Sequence, residues 1–200
     1  FLKAPDDMGY IIDIGPDAIR AEGMSYGLFI AALTDHEAMF DKLWNFSKKY
    51  IRNNNGPHKG YFSWQVSTTD FSMMDPGAAP DSEEYIAAAL LIAAKKFNRD
   101  DLRHEAVQLI TDIKYKPQNE LVGPIIDPEW KLIKFSSVLG NDFTDPSYHT
   151  MAFYRMFAEA TGDNTWLDVA QASIEFLQKA AHPGTGLCAD YAEYDGTPKA

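Results

Sequence analysis

The sequence predicts an all-α fold, a toroid or solenoid of stacked helical hairpins. Segments with helical spacing come in three pairs, long loops separate the pairs, and almost no run is typical of a parallel strand. Acidic residues at the start of the first helix of each pair, Glu22, Asp81 and Asp145, are 59 and 64 residues apart. Such a recurring unit is typical of folds in which hairpins stack and their long loops gather on one face. We therefore expect the three acidic residues on one rim.

The first hairpin follows an irregular lead-in. Residues 1–19 contain Gly15, Pro16 and a short apolar run at 10–12, which predicts one short extended piece. Apolar residues then recur at helical spacing over 20–34 and over 36–52. Because only a tight turn separates these two segments, they predict an αα-hairpin.

The second and third hairpins are separated by long loops. After a loop with an aromatic cluster at 61–65, an Ala-rich helix is expected from Asp81 to about Phe97, with a more polar partner over 99–115. The next loop, about 117–143, is expected to include short extended pieces such as 132–135. The third hairpin is predicted from Thr144 to about Ala160 and over 164–181, before Pro183 and Gly184 end it and residues 183–200 return to loop.

Composition excludes several classes of function. The net charge of −11 would repel nucleic acid and anionic membranes, and no Lys/Arg-rich block offsets it. Long uncharged apolar runs are absent, so no transmembrane segment is predicted. Five scattered His residues and the single Cys188 show no metal-ligand spacing, so neither a metal nor another cofactor is expected. With a single cysteine, the chain cannot form an intramolecular disulfide, which favours a cytoplasmic location for the protein. A periplasmic or secreted location remains an alternative.

Residues 20–27 are compatible with two different chemistries. Gly23 to Gly27 matches the G-x-S-x-G pattern of a serine nucleophile, whereas Glu22 is suited to a general acid. A nucleophile at Ser25 would require a strand running into the turn and an α/β sheet carrying Asp and His partners, which the consecutive helical hairpins disfavour. Two glycines beside Glu22 cost helix stability unless something approaches closely. We therefore favour Glu22.

Asp81 and Asp145 also have a structural interpretation. Asp81 with Glu84 three residues later fits a capping box, and Asp145 before Pro146 fits an N-cap followed by proline at the first helical position.

Several segments resemble glycoside hydrolase family 8, and together they span essentially the whole chain in order. Within that family the resemblance is closest to the xylan-active members that release xylose from the reducing end of oligosaccharides, the exo-oligoxylanases. The matching segments are RAEGMSYG (20–27), LWN (43–45), GYFSWQ (60–65), APDSEEY (79–85), FTDPSYH (143–149) and DYAEYDGTP (190–198).

The resemblance implies an (α/α)6 barrel and an inverting mechanism on β-1,4 linkages. Glu22 corresponds to the general acid, which needs a raised pKa, and Asp81 to the residue that holds the distorted sugar at the cleavage point. Trp64 corresponds to an aromatic sugar platform and Tyr148 to a tyrosine near the catalytic water. Tyr26 and Tyr191 lie in matching segments, so the predicted substrate-binding set is aromatic: Trp64, Tyr148, Tyr26 and Tyr191.

The general base of the family has no counterpart in the sequence. Inversion requires a second carboxylate about 6.5–9.5 Å from the acid. Three hairpins are half of six, and the repeat spacing places the next such helix about ten residues past Ala200. We therefore expect residues 1–200 to form the N-terminal half of one catalytic domain, with a C-terminal half as partner. Another family 8 endo-glycanase and a non-catalytic carbohydrate-binding fragment remain alternatives.

Overall fold

The computed structural model describes residues 1–13 and 18–199, so the predicted turn residues Gly15 and Pro16 lie outside the described part of the chain. The chain divides into two compact units, Phe1–Leu109 and Ile110–Ala200, which are taken one at a time below. The α-helices within the described ranges are α1 Ala21–Leu33, α2 Glu37–Phe46, α3 Pro80–Lys96, α4 Asp100–Tyr115, α5 Met151–Thr161 and α6 Thr165–Ala180. None of the described helices is both long and apolar enough to span a membrane.

Helices α1 and α3 form the centre of the first unit. Three consecutive alanines of α3, Ala87, Ala88 and Ala89, are fully buried, and their small side chains permit close helix packing. Tyr85 of α3 makes edge-to-face contacts with both Tyr26 and Phe29 of α1. The Ala-rich helix expected from the sequence is therefore an interior helix of this unit.

Helix α2 is shorter than the sequence predicts. The α-helix ends at Phe46, and a π-helical segment, Ser47–Ile51, continues it to the expected end. The side chain of Ser47 donates a hydrogen bond to the carbonyl of Leu43 at 2.9 Å, a local bond that competes with regular helical pairing. Periodicity locates this segment correctly but does not reveal the change of helix type.

The two glycines of α1 make room for Ile11. A Cβ at Gly27 would lie 2.9 Å from Cγ1 of Ile11 and 3.2 Å from Cδ1 of Leu43, whereas a Cβ at Gly23 would lie 3.4 Å from Ile11. The close approach predicted from these glycines therefore exists. It is made by the partly buried side chain of Ile11 in the lead-in segment.

These distances predict opposite effects for two matched substitutions. Gly23→Ala is expected to raise the free energy of unfolding by up to about 1 kcal/mol, since alanine favours helix and meets only ordinary contacts. Gly27→Ala gains the same propensity but overpacks Ile11, at a cost of about 1–3 kcal/mol. Urea denaturation should therefore rank Gly27→Ala below Gly23→Ala, and equal stabilities would contradict the packing role of Ile11.

The first unit also contains short strands that the sequence does not reveal. Ala18–Arg20 (β3), Gln65–Ser67 (β4) and Met73–Asp75 (β5) form an antiparallel sheet in the order β3-β4-β5. Leu2–Lys3 (β1) pairs with Gly9–Tyr10 (β2), which partly matches the extended piece expected at 10–12. Strands of two or three residues are too short to show an alternating pattern.

In the second unit, α5 and α6 form the expected hairpin, but α5 begins later than predicted. Pro146–Tyr148 is a 3-10 turn, and the α-helix starts only at Met151. Asp145 is an N-cap, as predicted, but for the 3-10 turn: its carboxylate accepts a hydrogen bond from the Ser147 amide at 2.8 Å. The turn from α5 to α6 uses Gly162 with a positive φ of 72°, which glycine adopts without strain.

His149 links the 3-10 turn to α6. Its ring lies within hydrogen-bond distance of Thr144 Oγ1 (3.1 Å) and Ser173 Oγ (2.9 Å), and it packs on Phe176. Burial lowers the pKa of His149 to about 3, so the imidazole is neutral at physiological pH. This histidine is therefore part of the core that orients the segment carrying Tyr148.

Candidate active site

Glu22 and Asp81 occupy equivalent positions on two packed helices. Each is the second residue of its helix, after Ala21 in α1 and after Pro80 in α3. Tyr26 of α1 contacts Asp81 of α3, and about one turn later in both helices Phe29 contacts Tyr85. The helices therefore run side by side with both carboxylates at the same end.

Glu22 is held in conditions that favour its protonated form. Burial raises its pKa, against smaller opposing effects from its hydrogen-bonded backbone amide and from the charge of Arg20. Its Oε2 atom is buried and has no hydrogen-bond partner in the ranges 1–13 and 18–199. A helix N-terminus normally stabilises a carboxylate, so here desolvation outweighs the helix. A neutral carboxylic acid with a free oxygen is what a general acid requires.

Tyr26 connects the two carboxylates. Its hydroxyl donates a long hydrogen bond of 3.4 Å to Oδ2 of Asp81. Burial, followed by the negative charges of Asp81 and Glu22, raises the pKa of Tyr26 to about 12, so the phenol stays protonated as a donor. The side chain of Tyr26 is 42% exposed. Glu22, Asp81 and Tyr26 therefore form one cluster that remains open to solvent.

Asp81 is not a capping residue. The N-cap of α3 is Ala79, no side chain caps this helix, and Pro80 precedes Asp81 inside it. The predicted capping box is therefore wrong, because Pro80 takes the first helical position and moves Asp81 beyond the cap. Asp81 is only 7% exposed.

Trp64 lies beside the same cluster. The guanidinium of Arg20 sits over its indole ring, 5.1 Å from the ring centroid, and also pairs with Asp13 at 2.6 Å. Arg20 immediately precedes α1 and lowers the pKa of Glu22 by its charge. Arg20 therefore covers one face of the indole of Trp64 and also acts on the charge of Glu22.

Main-chain hydrogen bonds tie the loop of Trp64 to both helices. The carbonyl of Trp64 accepts from the amide of Ala21 at 3.0 Å, next to Glu22. Two residues before Trp64, the amide of Phe62 donates a hydrogen bond to Oε1 of Glu83, which lies in the first turn of α3, at 2.7 Å. These two hydrogen bonds fix the loop of Trp64 against the first turns of α1 and α3, which carry Glu22 and Asp81.

Ser25 has the wrong geometry for a nucleophile. It lies inside α1, fully buried, and its hydroxyl donates to the carbonyl of Glu22 at 2.8 Å. A strand, β3, does run into α1, but it belongs to a small antiparallel sheet. The G-x-S-x-G match is therefore an accident of spacing.

The remaining predicted residues, Tyr148 and Tyr191, meet around one ring in the second unit. Phe135 stacks parallel to Tyr148, at a centroid distance of 6.0 Å and an interplanar angle of 5°, and Tyr191 meets Phe135 edge-on at 5.0 Å. Paired hydrogen bonds between Thr144 and Ala192 hold the two loops together. A cavity of about 450 Å³ adjoins this group and is lined by residues that include Asp145, Asp190 and Tyr191.

Sequence reasoning missed three residues that shape these groups: Arg20, Glu83 and Phe135. Phe135 gave no signal, because it lies in a loop where a single aromatic has no pattern. Glu83 could have been noticed, since residues 81–84 are four polar residues opening an apolar helix, and all four are buried. Within the described chain, no three His, Cys, Asp or Glu side chains are placed to hold a metal.

Comparison with known proteins places these groups in a family. Residues 9–200 match the model of the glycosyl hydrolases family 8. The reducing-end xylose-releasing exo-oligoxylanase Rex8A of Paenibacillus barcinonensis is 38% identical over 99% of the chain and 53% of its own length. Endoglucanase 2 of Ruminiclostridium josui is 32% identical over 89% of the chain and 37% of its own length.

A solved structure of one of these relatives matches the fold of the chain as well. The structure of Paenibacillus barcinonensis Rex8A complexed with xylose superposes with a TM-score of 0.92 at 37% identity, covering 99% of this chain and 54% of that one. The predicted all-α fold of the (α/α)6 barrel class is confirmed, and the chain spans about half the length of the curated relatives it matches. By its motifs, its helical hairpins and the family match over residues 9–200, the chain belongs to glycosyl hydrolase family 8.

Proposed function

We propose that the protein is an inverting glycoside hydrolase that releases xylose from the reducing end of β-1,4-linked xylo-oligosaccharides. The observation that carries this proposal is the half-buried carboxyl of Glu22, whose Oε2 atom is enclosed and whose raised pKa suits a general acid. Family membership supports the reaction class. Relatives named reducing-end xylose-releasing exo-oligoxylanases, at 34–38% identity, support the substrate.

In this proposal the cluster of the first unit acts on the bond to be cleaved. Glu22 gives its proton to the glycosidic oxygen as the bond breaks, which makes the departing sugar a better leaving group. Asp81 accepts hydrogen bonds from the hydroxyls of the distorted sugar, and Tyr26 fixes the orientation of its carboxylate. Trp64 offers an aromatic face for a sugar ring.

We propose that residues of the second unit help to bind the sugar and to orient the catalytic water molecule. Tyr148 is held by parallel stacking on Phe135, so its hydroxyl has a fixed position, as orienting a water molecule would require. Tyr191 is 42% exposed and offers a further sugar contact.

The general base is proposed to lie outside residues 1–200. Inversion needs a carboxylate that activates water on the sugar face opposite the acid. No residue in the matching segments corresponds to it. We therefore propose that residues 1–200 are the N-terminal half of one catalytic domain, whose C-terminal half supplies the base. A cytoplasmic location is part of the proposal, consistent with the exposed free thiol of Cys188.

Hydrolysis of xylotetraose by the full-length protein tests the proposal. We expect xylose and xylotriose as first products, with the new reducing end in the α configuration by proton NMR, because inversion changes a β-linkage to an α-hemiacetal. Cellotetraose should react more slowly. Faster cleavage of cellotetraose would instead support an endoglucanase, the alternative favoured by the Ruminiclostridium josui relative.

The 200-residue chain alone provides the control for the missing base. Provided that circular dichroism shows its helices formed, it should release negligible xylose, and addition of a C-terminal fragment should restore turnover. Rapid inverting hydrolysis by residues 1–200 alone would contradict the proposed location of the base. Saturable xylotetraose binding without product, in the full-length protein as well, would support a non-catalytic binding protein.

A further inference from the structure

A second cavity in the unit Ile110–Ala200 is separate from the one beside Tyr191. It has a volume of about 410 Å³, within the range of small-molecule sites. The two cavities share no lining residue. Two aromatic side chains, Trp130 and Tyr194, line it together with five carboxylates: Asp127, Glu129, Asp142, Glu193 and Asp195.

Tyr194 lines this cavity and carries an unsatisfied hydrogen-bond donor. Its side chain is only 8% exposed, and its hydroxyl is buried without a hydrogen-bond partner among residues 1–13 and 18–199. Its ring is fixed in an apolar cluster with Leu132 and Phe176. Burial and the nearby charges of Asp127 and Asp142 raise the pKa of Tyr194, so the phenol keeps its proton. A buried hydroxyl of this kind is normally paired.

The five carboxylates of the cavity differ in how many hydrogen bonds and ion pairs they already make within the protein. Asp127 accepts from the amides of Glu129 and Trp130 at 2.9 and 2.8 Å, and Glu193 pairs with Lys199 at 2.6 Å. Asp195 accepts from Thr197. By contrast, the side chains of Glu129 and Asp142 make no hydrogen bond or ion pair within the described part of the chain. These two carboxylates are therefore free to accept hydrogen bonds from a ligand.

The donors around the cavity argue against a cation as that ligand. The buried ammonium of Lys134 acts electrostatically on Asp127 and Asp142, and so offsets part of the negative charge that would attract a cation. Tyr194 needs an acceptor, which a metal ion or an ammonium group does not provide. A sugar hydroxyl both donates and accepts, so it satisfies Tyr194 and a carboxylate together.

Trp130 supplies the remaining feature of such a site. Its indole is 46% exposed and lies beside the ring of Tyr194, with centroids 5.9 Å apart. An exposed aromatic face beside convergent polar groups is the usual lining of a small-ligand site. We propose that this cavity is a second, non-catalytic binding site for a neutral saccharide, which stacks on Trp130 and hydrogen-bonds to Tyr194 and Asp142.

Titration of the full-length Glu22→Gln variant with xylotriose, followed by amide NMR, tests the site, because the parent protein is expected to hydrolyse this ligand. The backbone signals of Glu129, Asp142 and Asp195 should move together and saturate. Tyr194→Phe removes only the unpaired hydroxyl and should weaken this binding about five- to tenfold, the usual effect of losing one hydrogen bond. Trp130→Ala should abolish it. Leu167→Ala, at an equally exposed apolar residue (46%) outside the cavity, should leave it unchanged.

Three results would overturn the proposal. The first is that xylotriose leaves the three signals unmoved, and the second is that Tyr194→Phe binds as tightly as the parent. The third is that Mg²⁺ or tetramethylammonium, but not xylotriose, produces the shifts. The hydrolytic activity is independent of all three: saturation of these signals, with a parent protein that cleaves no glycan, would leave this site standing and refute the proposed function.

Discussion

Replacing Glu22 with glutamine is expected to lower kcat on xylotetraose by about 10²–10⁴-fold, the usual contribution of a general acid. Gln keeps the size and shape of the side chain but has no proton to transfer. Binding should change little, so KM should stay within a few-fold of the parent value. Steady-state release of xylose by the full-length protein measures both parameters.

The pH profile gives this prediction a second readout. Because burial raises the pKa of Glu22, the acid stays protonated above the usual pH range of a glutamate, and activity falls on the alkaline side as it loses its proton. Glu22→Gln should abolish that alkaline decline. An aryl xyloside with a good leaving group needs less protonation and should retain more of its rate.

A matched control is available in the neighbouring helix. Glu37 also lies in the first turn of its helix, but it is exposed and makes no contact with the cluster among the described side-chain hydrogen bonds and ion pairs. Glu37→Gln should leave kcat unchanged. If Glu22→Gln retained full turnover on xylotetraose, Glu22 would not be the acid.

Replacing Asp81 with asparagine is expected to reduce kcat/KM by roughly 10²–10³-fold, the range found when one preorganised group of an active site is removed. The amide keeps the volume but loses the charge, so it cannot hold the distorted sugar as tightly. Tyr26→Phe, which removes only the 3.4 Å hydrogen bond to Asp81, should cost about tenfold or less. The same xylotetraose assay measures both variants.

Asp100 provides the control for Asp81. It is an exposed acidic residue in the first turn of α4, and Asp100→Asn should be neutral for activity. Thermal unfolding separates folding from catalysis: an Asp81→Asn protein that lost its helices would say nothing about the sugar, so Tyr26→Phe then decides. Full activity of both Asp81→Asn and Tyr26→Phe would remove Asp81 from the site.

The helices were predictable because each has enough turns to show its apolar stripe. Helix α3 fits its predicted limits within a residue at each end. Helix boundaries set by single side chains were less predictable. Pro80 moved Asp81 inside α3, and the hydrogen bonding of Asp145 made a 3-10 turn where a helix start was expected. Strands β3 to β5 have only three residues each, and β3 pairs with β4 across at least 45 residues of sequence, so no local pattern reveals them.

Sequence motifs nominate the candidate site residues, but they do not reveal the physical environment of those residues. Glu22 stood out because of its glycine neighbours, yet Gly27 serves to admit Ile11. Burial of Glu22 depends on how α1 and α3 pack, which no local pattern encodes. The pairing of Arg20 with Asp13 and Trp64 likewise depends on the loop crossing back over the start of α1.

The backbone bonds from the Trp64 loop have a consequence for protein engineering. Ala21 and Glu83 fix this loop at the start of α1 and at the start of α3, so the three segments behave as one transplantable unit. Exchanging the loop alone with that of a relative would break its register against both helices. Altering the specificity of the site should therefore succeed when all three segments are exchanged together, and fail when they are exchanged separately.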